Sequence, residues 1–207
     1  MRQFRESRLL IATHNPGKLE EIAHLIEPFG VSLTSAGAMG LSVPEETGTS
    51  FVENATLKAR HAARISELPS LADDSGLEVA ALDDAPGVYT ADWAETPKGR
   101  DFAKAMQRVQ DALEAIGAEE PRRARFRCTL VLSWPDGHDE VFEGVAHGRI
   151  VWPGRGTQGH GYDPIFQPDG YEQTYGEMDR WAKNRISHRA DAFNKLLEGC
   201  FDSRKSV

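Results

Sequence analysis

The chain lacks the features of secreted, membrane-spanning or disulfide-built proteins. Its longest early apolar run, residues 9–12, is far too short for a signal-peptide core or a membrane span. The only two cysteines, Cys128 and Cys200, match neither a disulfide framework nor a zinc-binding pattern. We therefore expect a cytoplasmic protein with no membrane partner.

An excess of positive charge is lacking as well. The 24 lysines and arginines are outnumbered by 32 aspartates and glutamates, which gives a formal net charge of -8. This balance argues against a protein that coats nucleic acid by releasing counterions, so we expect no nucleic-acid partner. A small polyanion can still bind where basic side chains cluster locally. With 207 residues, the chain is long enough for one domain or for two closely joined lobes over residues 1–207.

The apolar pattern predicts secondary structure along most of the chain. The first part is expected to form a strand (8–12), a turn (13–17), a helix around Leu19 to Ile26, a strand (31–35) and a helix (50–68) whose apolar stripe is Phe51, Ala55, Ala59, Ala62 and Ile65. The second part is expected to form strands at 70–73 and 77–82, a helix (102–116), an antiparallel hairpin of alternating residues 123–134 and strand 141–152, and a helix (187–198). An early βαβ unit and a late hairpin predict an α/β fold with a long mixed sheet and flanking helices.

Residues 13–18 form a candidate anion-binding turn between the first strand and the first helix. Backbone N–H groups at a helix N-terminus favour an anion, and a lysine in the same turn adds charge. The turn consists of Thr13, His14, Asn15, Pro16, Gly17 and Lys18, and it is not a P-loop, which needs GxxxxGK[ST]. The alternative interpretation is an ordinary βα turn capped by Asn15.

Three groups of carboxylates are candidates for binding Mg²⁺, which prefers oxygen ligands. They are Glu45-Glu46 after a proline, Glu53-Asn54 at the start of the second predicted helix, and Asp73-Asp74 before Ser75-Gly76. Adjacent residues of a strand point to opposite faces, so one of the two aspartates is expected to face a metal. The alternatives are helix capping for the glutamates and a polar turn for the aspartates.

The segment 159–189 combines glycines, aromatics, acids and bases in a way that points to a nucleotide ligand. It contains Asp163, Lys183, Arg185, His188 and Arg189, and Lys58 on the second predicted helix is a further basic candidate. Each basic residue alone is as well explained as a solvated side chain. Residues 154–159 match GxGxxG, but this is no dinucleotide fingerprint, because no amphipathic helix follows; the glycines are instead expected to allow a tight turn and a close backbone approach to a ligand.

Seven blocks together resemble the inosine triphosphate pyrophosphatase (Ham1-like) family, which hydrolyses non-standard purine nucleoside triphosphates. The blocks are LLIATHNPGKLEEI, PEETGTSFVENATLKARHAA, LADDSGLEVAAL, APGVYTADWA, RARFRCTLVL, GHGYDPIFQPDG and KNRISHRADAF. They run in order along nearly the whole chain, and ADDSGLEV, GYDPIF and ISHR are highly specific.

The resemblance implies a two-lobed α/β fold with an active-site cleft between the lobes, a homodimer and a requirement for Mg²⁺. It implies hydrolysis of ITP, dITP, XTP and dXTP between the α- and β-phosphates, to the monophosphate and pyrophosphate. By position, it implies that Asp74 is the general base and, with Glu45, a metal ligand. The implied substrate contacts are residues 13–18, Lys58, Ser75, His160, Gly161, Tyr162, Asp163, Lys183, His188 and Arg189.

The sequence departs from the family pattern at two sites, and two rival functions are open. His160 stands where the family usually has phenylalanine, and this replacement is expected to affect binding of the purine base. Trp181-Ala182 stand where the family commonly has an acidic pair. The rival enzyme is a Maf-like pyrophosphatase acting on pyrimidine or methylated nucleotides. The rival without catalysis is a nucleotide-sensing or RNA-binding module, which the acidic composition disfavours.

Overall fold

A computed structural model describes residues 1–14, 16–42 and 44–201. Its main sheet has six strands in the order β2-β1-β3-β6-β7-β8. These strands are β1 (Arg8–Ile11), β2 (Ser32–Ser35), β3 (Ser70–Val79), β6 (Arg123–Ser133), β7 (Asp139–Ile150) and β8 (Phe166–Pro168). The sheet is mixed, because β1 pairs in parallel with both β2 and β3 whereas β7 and β8 are antiparallel. The predicted α/β fold with a mixed sheet is confirmed.

The described residues also form five α-helices and one small ribbon, together with five short 3-10 helices. The helices are α1 (Pro16–Ile26), α2 (Phe51–Ser66), α3 (Phe102–Ala115), α4 (Arg180–Ile186) and α5 (His188–Cys200). The ribbon consists of β4 (Glu95–Thr96) and β5 (Gly99–Arg100), which are antiparallel. Within the described part of the chain, no helix is long and apolar enough to cross a membrane.

The chain divides into two compact units. Among the described residues, the first unit comprises those of the ranges 1–74, 129–143 and 192–201, and the second comprises residues 75–128 and 144–191. In the first unit, small side chains of α2 lie against the sheet: Ala55 and Ala59 pack with Ala72 and Val131. Alanines allow the helix backbone to approach the strands closely, which places other side chains of α2 near β3.

The second unit has a core rich in aromatic side chains. Phe126 lies 4.7 Å from Phe166 and 6.0 Å from Tyr175 between ring centroids. Val109 and Leu113 of α3 are fully buried in the same cluster. This core supports the residues at the start of α5, which are described with the candidate site.

Four sequence predictions need correction. Residues 74–76 do not interrupt a strand, because β3 runs unbroken from Ser70 to Val79. Ile65 is 45% exposed and so does not extend the buried stripe of α2, whereas Ala63 is buried. Strand β6 alternates only in its first half, because its last six residues are buried on both faces. Helix α4 and the short strands β4, β5 and β8 were not predicted.

The two cysteines are both free and buried. Burial raises the pKa of the Cys200 thiol to about 12, and the nearby Glu140 carboxylate acts in the same direction. The Cys200 thiol therefore keeps its proton at neutral pH, and burial limits access to both thiols.

The glycines at 154–159 permit close packing, but against the protein itself. Gly156 has φ 82°, and a side chain there would collide with the backbone of Gly176. A side chain at Gly159, with φ 72°, would collide with the carboxylate of Asp163. The next element after this segment is a three-residue 3-10 helix (Asp163–Ile165), so the helix that a dinucleotide fingerprint needs does not follow directly.

The Ser50→Ala variant is expected to lose about 1 kcal/mol of unfolding free energy. Ser50 caps α2: its hydroxyl accepts a bond from the Glu53 N–H at 3.3 Å, and Glu53 accepts one from the Ser50 N–H at 3.1 Å. Urea unfolding measures the loss, with Ser50→Thr as a control that keeps the cap. Equal stability of the alanine and threonine variants would contradict this role.

Candidate active site

Two neighbouring aspartates of β3 each pair with a lysine from a different helix. Lys18 Nζ donates to Asp73 Oδ1 at 3.0 Å and to Oδ2 at 2.8 Å. Lys58 Nζ, from α2, donates to Asp74 Oδ1 at 2.9 Å. Adjacent strand residues point to opposite faces, which explains why the two carboxylates have separate partners. Both pairs lie in the first unit.

Asp74 is the carboxylate with capacity to bind a further ligand. Its Oδ2 atom is buried and has no hydrogen-bond partner among the residues that the structure describes. Burial raises the pKa of Asp74, the attraction of Lys58 lowers it in part, and repulsion from Glu46 and Asp73 adds to the increase. A carboxylate with a raised pKa is a stronger base than a solvated aspartate.

Lys58 joins Asp74 to a second carboxylate. Its ammonium also donates to Glu46 Oε1 at 3.0 Å. Burial lowers the pKa of Lys58, but the attraction of Asp74, Asp73 and Glu46 outweighs this, so the pKa is raised. Lys58 therefore stays protonated at neutral pH. Its side chain is only 12% exposed, so the interpretation as a solvated lysine does not apply to it.

The predicted metal ligands differ in their surroundings. The side chain of Glu45 is exposed, whereas its neighbour Glu46 contacts Lys58. Glu53 belongs to the α2 cap, so the capping alternative is confirmed for it. Across the described ranges, no three Asp, Glu, His or Cys side chains are arranged to hold a metal ion. Mg²⁺ is usually held by one or two carboxylates together with substrate phosphates, so the buried Asp74 Oδ2 fits such an ion.

The predicted anion-binding turn leads directly into α1, which begins at Pro16. Asn15 lies outside the described residues, so its proposed capping role is not addressed. His14 is exposed, and its Nε2 lies 2.9 Å from the Leu41 carbonyl oxygen. His14 and Lys58 line one small pocket of the first unit, together with Ser42 and His61. His61 was not singled out from the sequence, because a lone histidine on a helix carries no specific signal.

In the second unit, Asp163 and Lys183 form a buried ion pair. Asp163 is 2% exposed and also accepts the His160 N–H at 2.8 Å through Oδ2. The Lys183 ammonium lies 5.3 Å from the centre of the Tyr175 ring, a cation–π contact. The pair thus fixes both the turn before Asp163 and the side chain of Lys183.

The residues around Asp163 divide between core and surface. Tyr162 is 1% exposed, donates to the Thr90 carbonyl oxygen at 3.0 Å and packs edge-on against Phe102. Its ring is therefore part of the core, and burial raises the pKa of its hydroxyl. Gly161 has φ 68°, which favours glycine. His160 is exposed, so it offers the accessible ring of this segment.

His188 and Arg189 occupy the first two positions of α5 and are both buried. Ser187 ends α4, and its hydroxyl accepts the Ala190 N–H at 3.2 Å. The His188 ring stacks on Phe126 at 4.9 Å between centroids and 15° between planes. Arg189 Nη2 lies 3.4 Å from Ser75 Oγ, a long contact that brings two predicted substrate residues together. Arg185 is exposed.

A cluster of charges in the second unit had no counterpart in the sequence analysis. Glu78 is buried and accepts bonds from Arg125 Nε and, at 3.2 Å, from Arg127 Nε. Arg125 also donates to Asp84 Oδ2 at 2.8 Å. Strand alternation places the two arginines on one face of β6, but no local pattern indicated a carboxylate on β3 opposite them.

Known proteins resemble this chain over nearly its full length. A sequence model of the Ham1 family matches residues 9–199. The dITP/XTP pyrophosphatase of Ruegeria pomeroyi is 64% identical over 200 residues, which are 97% of this chain and 98% of the relative. The dITP/XTP pyrophosphatase of Agrobacterium fabrum is 54% identical over 214 residues, covering 98% of this chain and 100% of the relative.

Solved structures also resemble this chain over most of its length. A HAM1 protein from Coxiella burnetii superposes with a TM-score of 0.87 at 38% identity, covering 93% of this chain and 98% of that one. The nucleoside-triphosphatase (dITP/XTP pyrophosphatase) of Mycobacterium abscessus gives a TM-score of 0.74 at 38% identity, covering 92% and 98%. The family resemblance and the fold predicted from the sequence are confirmed.

The raised pKa of Asp74 predicts how pH affects stability. Between the unperturbed pKa of 3.8 and the higher folded-state pKa, the folded chain binds more protons than the unfolded chain. This carboxyl therefore makes the protein less stable as pH rises through that window. We expect the unfolding free energy of Asp74→Asn, relative to the wild type, to increase across the same window. Urea titrations at stepped pH test this, and a relative stability that falls with rising pH contradicts it.

Proposed function

Because the chain belongs to the Ham1 family, we propose that it is a nucleoside-triphosphate pyrophosphatase that hydrolyses non-standard purine nucleotides, dITP and XTP foremost. The products are the nucleoside monophosphate and pyrophosphate. The observation that carries the proposal is Asp74: one oxygen is held by Lys58, and the other is buried without a hydrogen-bond partner among the described residues. The same chemistry extends the proposal to ITP and dXTP, since these share the bases of dITP and XTP.

Asp74 is assigned the general base. Its Oδ2 atom accepts a proton from a water molecule as the water oxygen attacks the α-phosphorus. The bond between the α-phosphorus and the bridging oxygen breaks, and its electron pair leaves with the pyrophosphate. Lys58 holds the base through Oδ1 at 2.9 Å, so the oxygen that accepts the proton has a fixed position.

The cations near β3 offset the charge of the triphosphate. Negative charge grows on the departing pyrophosphate, and Lys18 and Lys58 are the ammonium groups of the first unit at the candidate site. The N-terminus of α1 adds the partial positive charge of its backbone N–H groups. Mg²⁺ held by Asp74 and Glu45 would neutralise phosphate oxygens and lower the pKa of a bound water.

Base selection is assigned to the second unit. Hypoxanthine and xanthine carry an oxo acceptor at position 6, whereas adenine carries an amino donor there. The guanidinium of Arg189 and the ring N–H of His188 are donors, and a donor facing the adenine amino group would be left unpaired. The stack of His188 on Phe126 keeps that ring in one orientation. The exposed His160 ring is available to stack on the base.

The cytoplasmic location, the homodimer and the Mg²⁺ requirement belong to this proposal as predictions. A nucleotide substrate follows from the proposed activity. The Maf-like alternative and the nucleotide-sensing alternative are weaker, since the relatives described above are named for dITP/XTP pyrophosphatase activity.

Replacing Asp74 by asparagine should abolish most turnover while leaving a folded protein. The amide cannot accept the proton, and loss of a general base typically lowers the rate by roughly 10²–10⁴-fold. Pyrophosphate release from dITP measures kcat, and circular dichroism checks the fold. Near wild-type turnover in the asparagine variant would contradict the assignment of Asp74 as the general base.

A comparison of substrates should show that purines with a 6-oxo group are hydrolysed faster than purines with a 6-amino group. We expect kcat/KM for dITP and XTP to exceed that for dATP and ATP by roughly 10⁴-fold, because a mismatched donor leaves buried polar groups unpaired. Pyrophosphate release is compared with and without added Mg²⁺, with dUTP included as a pyrimidine control. Comparable values for ATP would refute the purine assignment, a preference for dUTP would support the Maf-like enzyme, and binding without turnover would support a sensor.

A further inference from the structure

Asp73 pairs with Lys18, a predicted phosphate-binding lysine, yet nothing in the proposed reaction uses this aspartate. Lys18 Nζ donates to both of its carboxylate oxygens, at 3.0 and 2.8 Å. We propose that Asp73 is a positioning residue, which fixes the Lys18 ammonium where it contacts the triphosphate tail of the substrate. This inference rests on the proposed function and deepens it.

Burial indicates that the pair persists when an anion binds. The side chain of Asp73 is 5% exposed, whereas that of Lys18 is 25% exposed. A buried carboxylate that lost its cation would be left uncompensated, which is strongly unfavourable. An anion therefore approaches the Lys18 ammonium from the more exposed side of the lysine, and the ammonium then contacts both the anion and Asp73. An ammonium has three donors, enough for one carboxylate and one phosphate oxygen.

The place of Lys18 in the fold explains why it needs such a partner. It is the third residue of α1 (Pro16–Ile26), at the helix end where partial positive charge disfavours a cation. Its four-carbon side chain is also flexible, so an unpaired ammonium would extend into solvent. Asp73, on a core strand of the main sheet, supplies a fixed point that offsets both effects.

Other roles of Asp73 would have different effects on anion binding. If Asp73 acted only as a counter-ion that competes with phosphate, its removal would free the ammonium and tighten anion binding. If Asp73 acted on the substrate independently of Lys18, the effects of changing the two residues would add. A positioning role predicts weaker binding and effects that do not add.

A double-mutant cycle on the full chain separates these roles. Asp73→Asn, Lys18→Gln and the double variant are compared for kcat and KM with dITP, and for the Kd of inorganic triphosphate by calorimetry. We expect Asp73→Asn to lower kcat/KM and to weaken triphosphate binding by roughly 10–100-fold, since a small displacement of a charge-stabilising group has effects of this order. The double variant should be no weaker than Lys18→Gln alone.

Asp139→Asn is the matched control. Asp139 is a mostly buried aspartate of the same unit, 13% exposed, and its Oδ2 accepts a bond from Arg60 Nε at 2.7 Å. The substitution makes the same chemical change to another ion pair, so its stability loss is comparable but kcat/KM and triphosphate affinity should stay at wild-type values. If Asp73→Asn does not fold, Asp73→Glu replaces it in the double-mutant cycle. Glutamate keeps the ion pair with Lys18 but displaces the ammonium, so we expect a smaller loss of kcat/KM and of triphosphate affinity.

The outcomes are distinct. Unchanged or tighter triphosphate binding in Asp73→Asn overturns the positioning role, as do losses that add in the double variant. An equal loss in Asp139→Asn overturns it too, because a general loss of stability would then explain the effect. A wild-type chain that binds inorganic triphosphate but releases no pyrophosphate from dITP refutes the proposed function, while the calorimetric cycle still decides the role of Asp73.

Discussion

The candidate site depends on one electrostatic constraint, the presence of two adjacent carboxylates on a strand within the sheet. A buried carboxylate is tolerated only when a cation or several donors compensate it. The fold meets this need with Lys18 from α1 and Lys58 from α2, one lysine for each aspartate. The small residues of α2 that pack against Ala72 and Val131 allow that helix to bring its lysine close to β3. Packing and charge compensation are therefore achieved by the same elements.

The second unit uses the same chemistry for a different purpose. Asp163 is almost fully buried and is compensated by Lys183 together with the backbone N–H of His160. Here the acid organises a turn and holds a lysine whose ammonium also contacts the Tyr175 ring. The aspartate–lysine pair thus places polar atoms next to an aromatic core, and packing against that core restricts their motion.

Local patterns were sufficient to predict most elements of this fold. The 3.6-residue period gave α1, α2, α3 and α5, and the apolar strands β1 and β2 were also apparent. The sequence Asp73-Asp74-Ser75-Gly76 has the composition of a turn, but β3 runs through it because neighbouring strands and two lysines compensate its polar residues. Helix α4 was missed because seven residues without an apolar stripe carry little periodic signal.

The candidate site was predictable only in part, because its ion pairs join residues that are distant in the sequence. The family-like blocks pointed to Asp74, Lys58 and Lys183 as site residues. In the structure Asp74 pairs with Lys58, and Lys183 pairs with Asp163. The partners Glu46 for Lys58 and Asp73 for Lys18 depend on contacts between residues 12 and 55 positions apart, which no local pattern encodes. Likewise, the core position of the Tyr162 ring follows from tertiary packing against Phe102.

The inert state of both cysteines has a practical consequence. Cys128 and Cys200 are buried, and the Cys200 thiol keeps its proton far above neutral pH. Maleimide dyes and nitroxide spin labels, which react with accessible thiolates, should leave the natural chain unmodified. A single cysteine introduced at a chosen surface position would then carry the label alone. Fluorescence or electron paramagnetic resonance could follow ligand binding without first removing the native thiols.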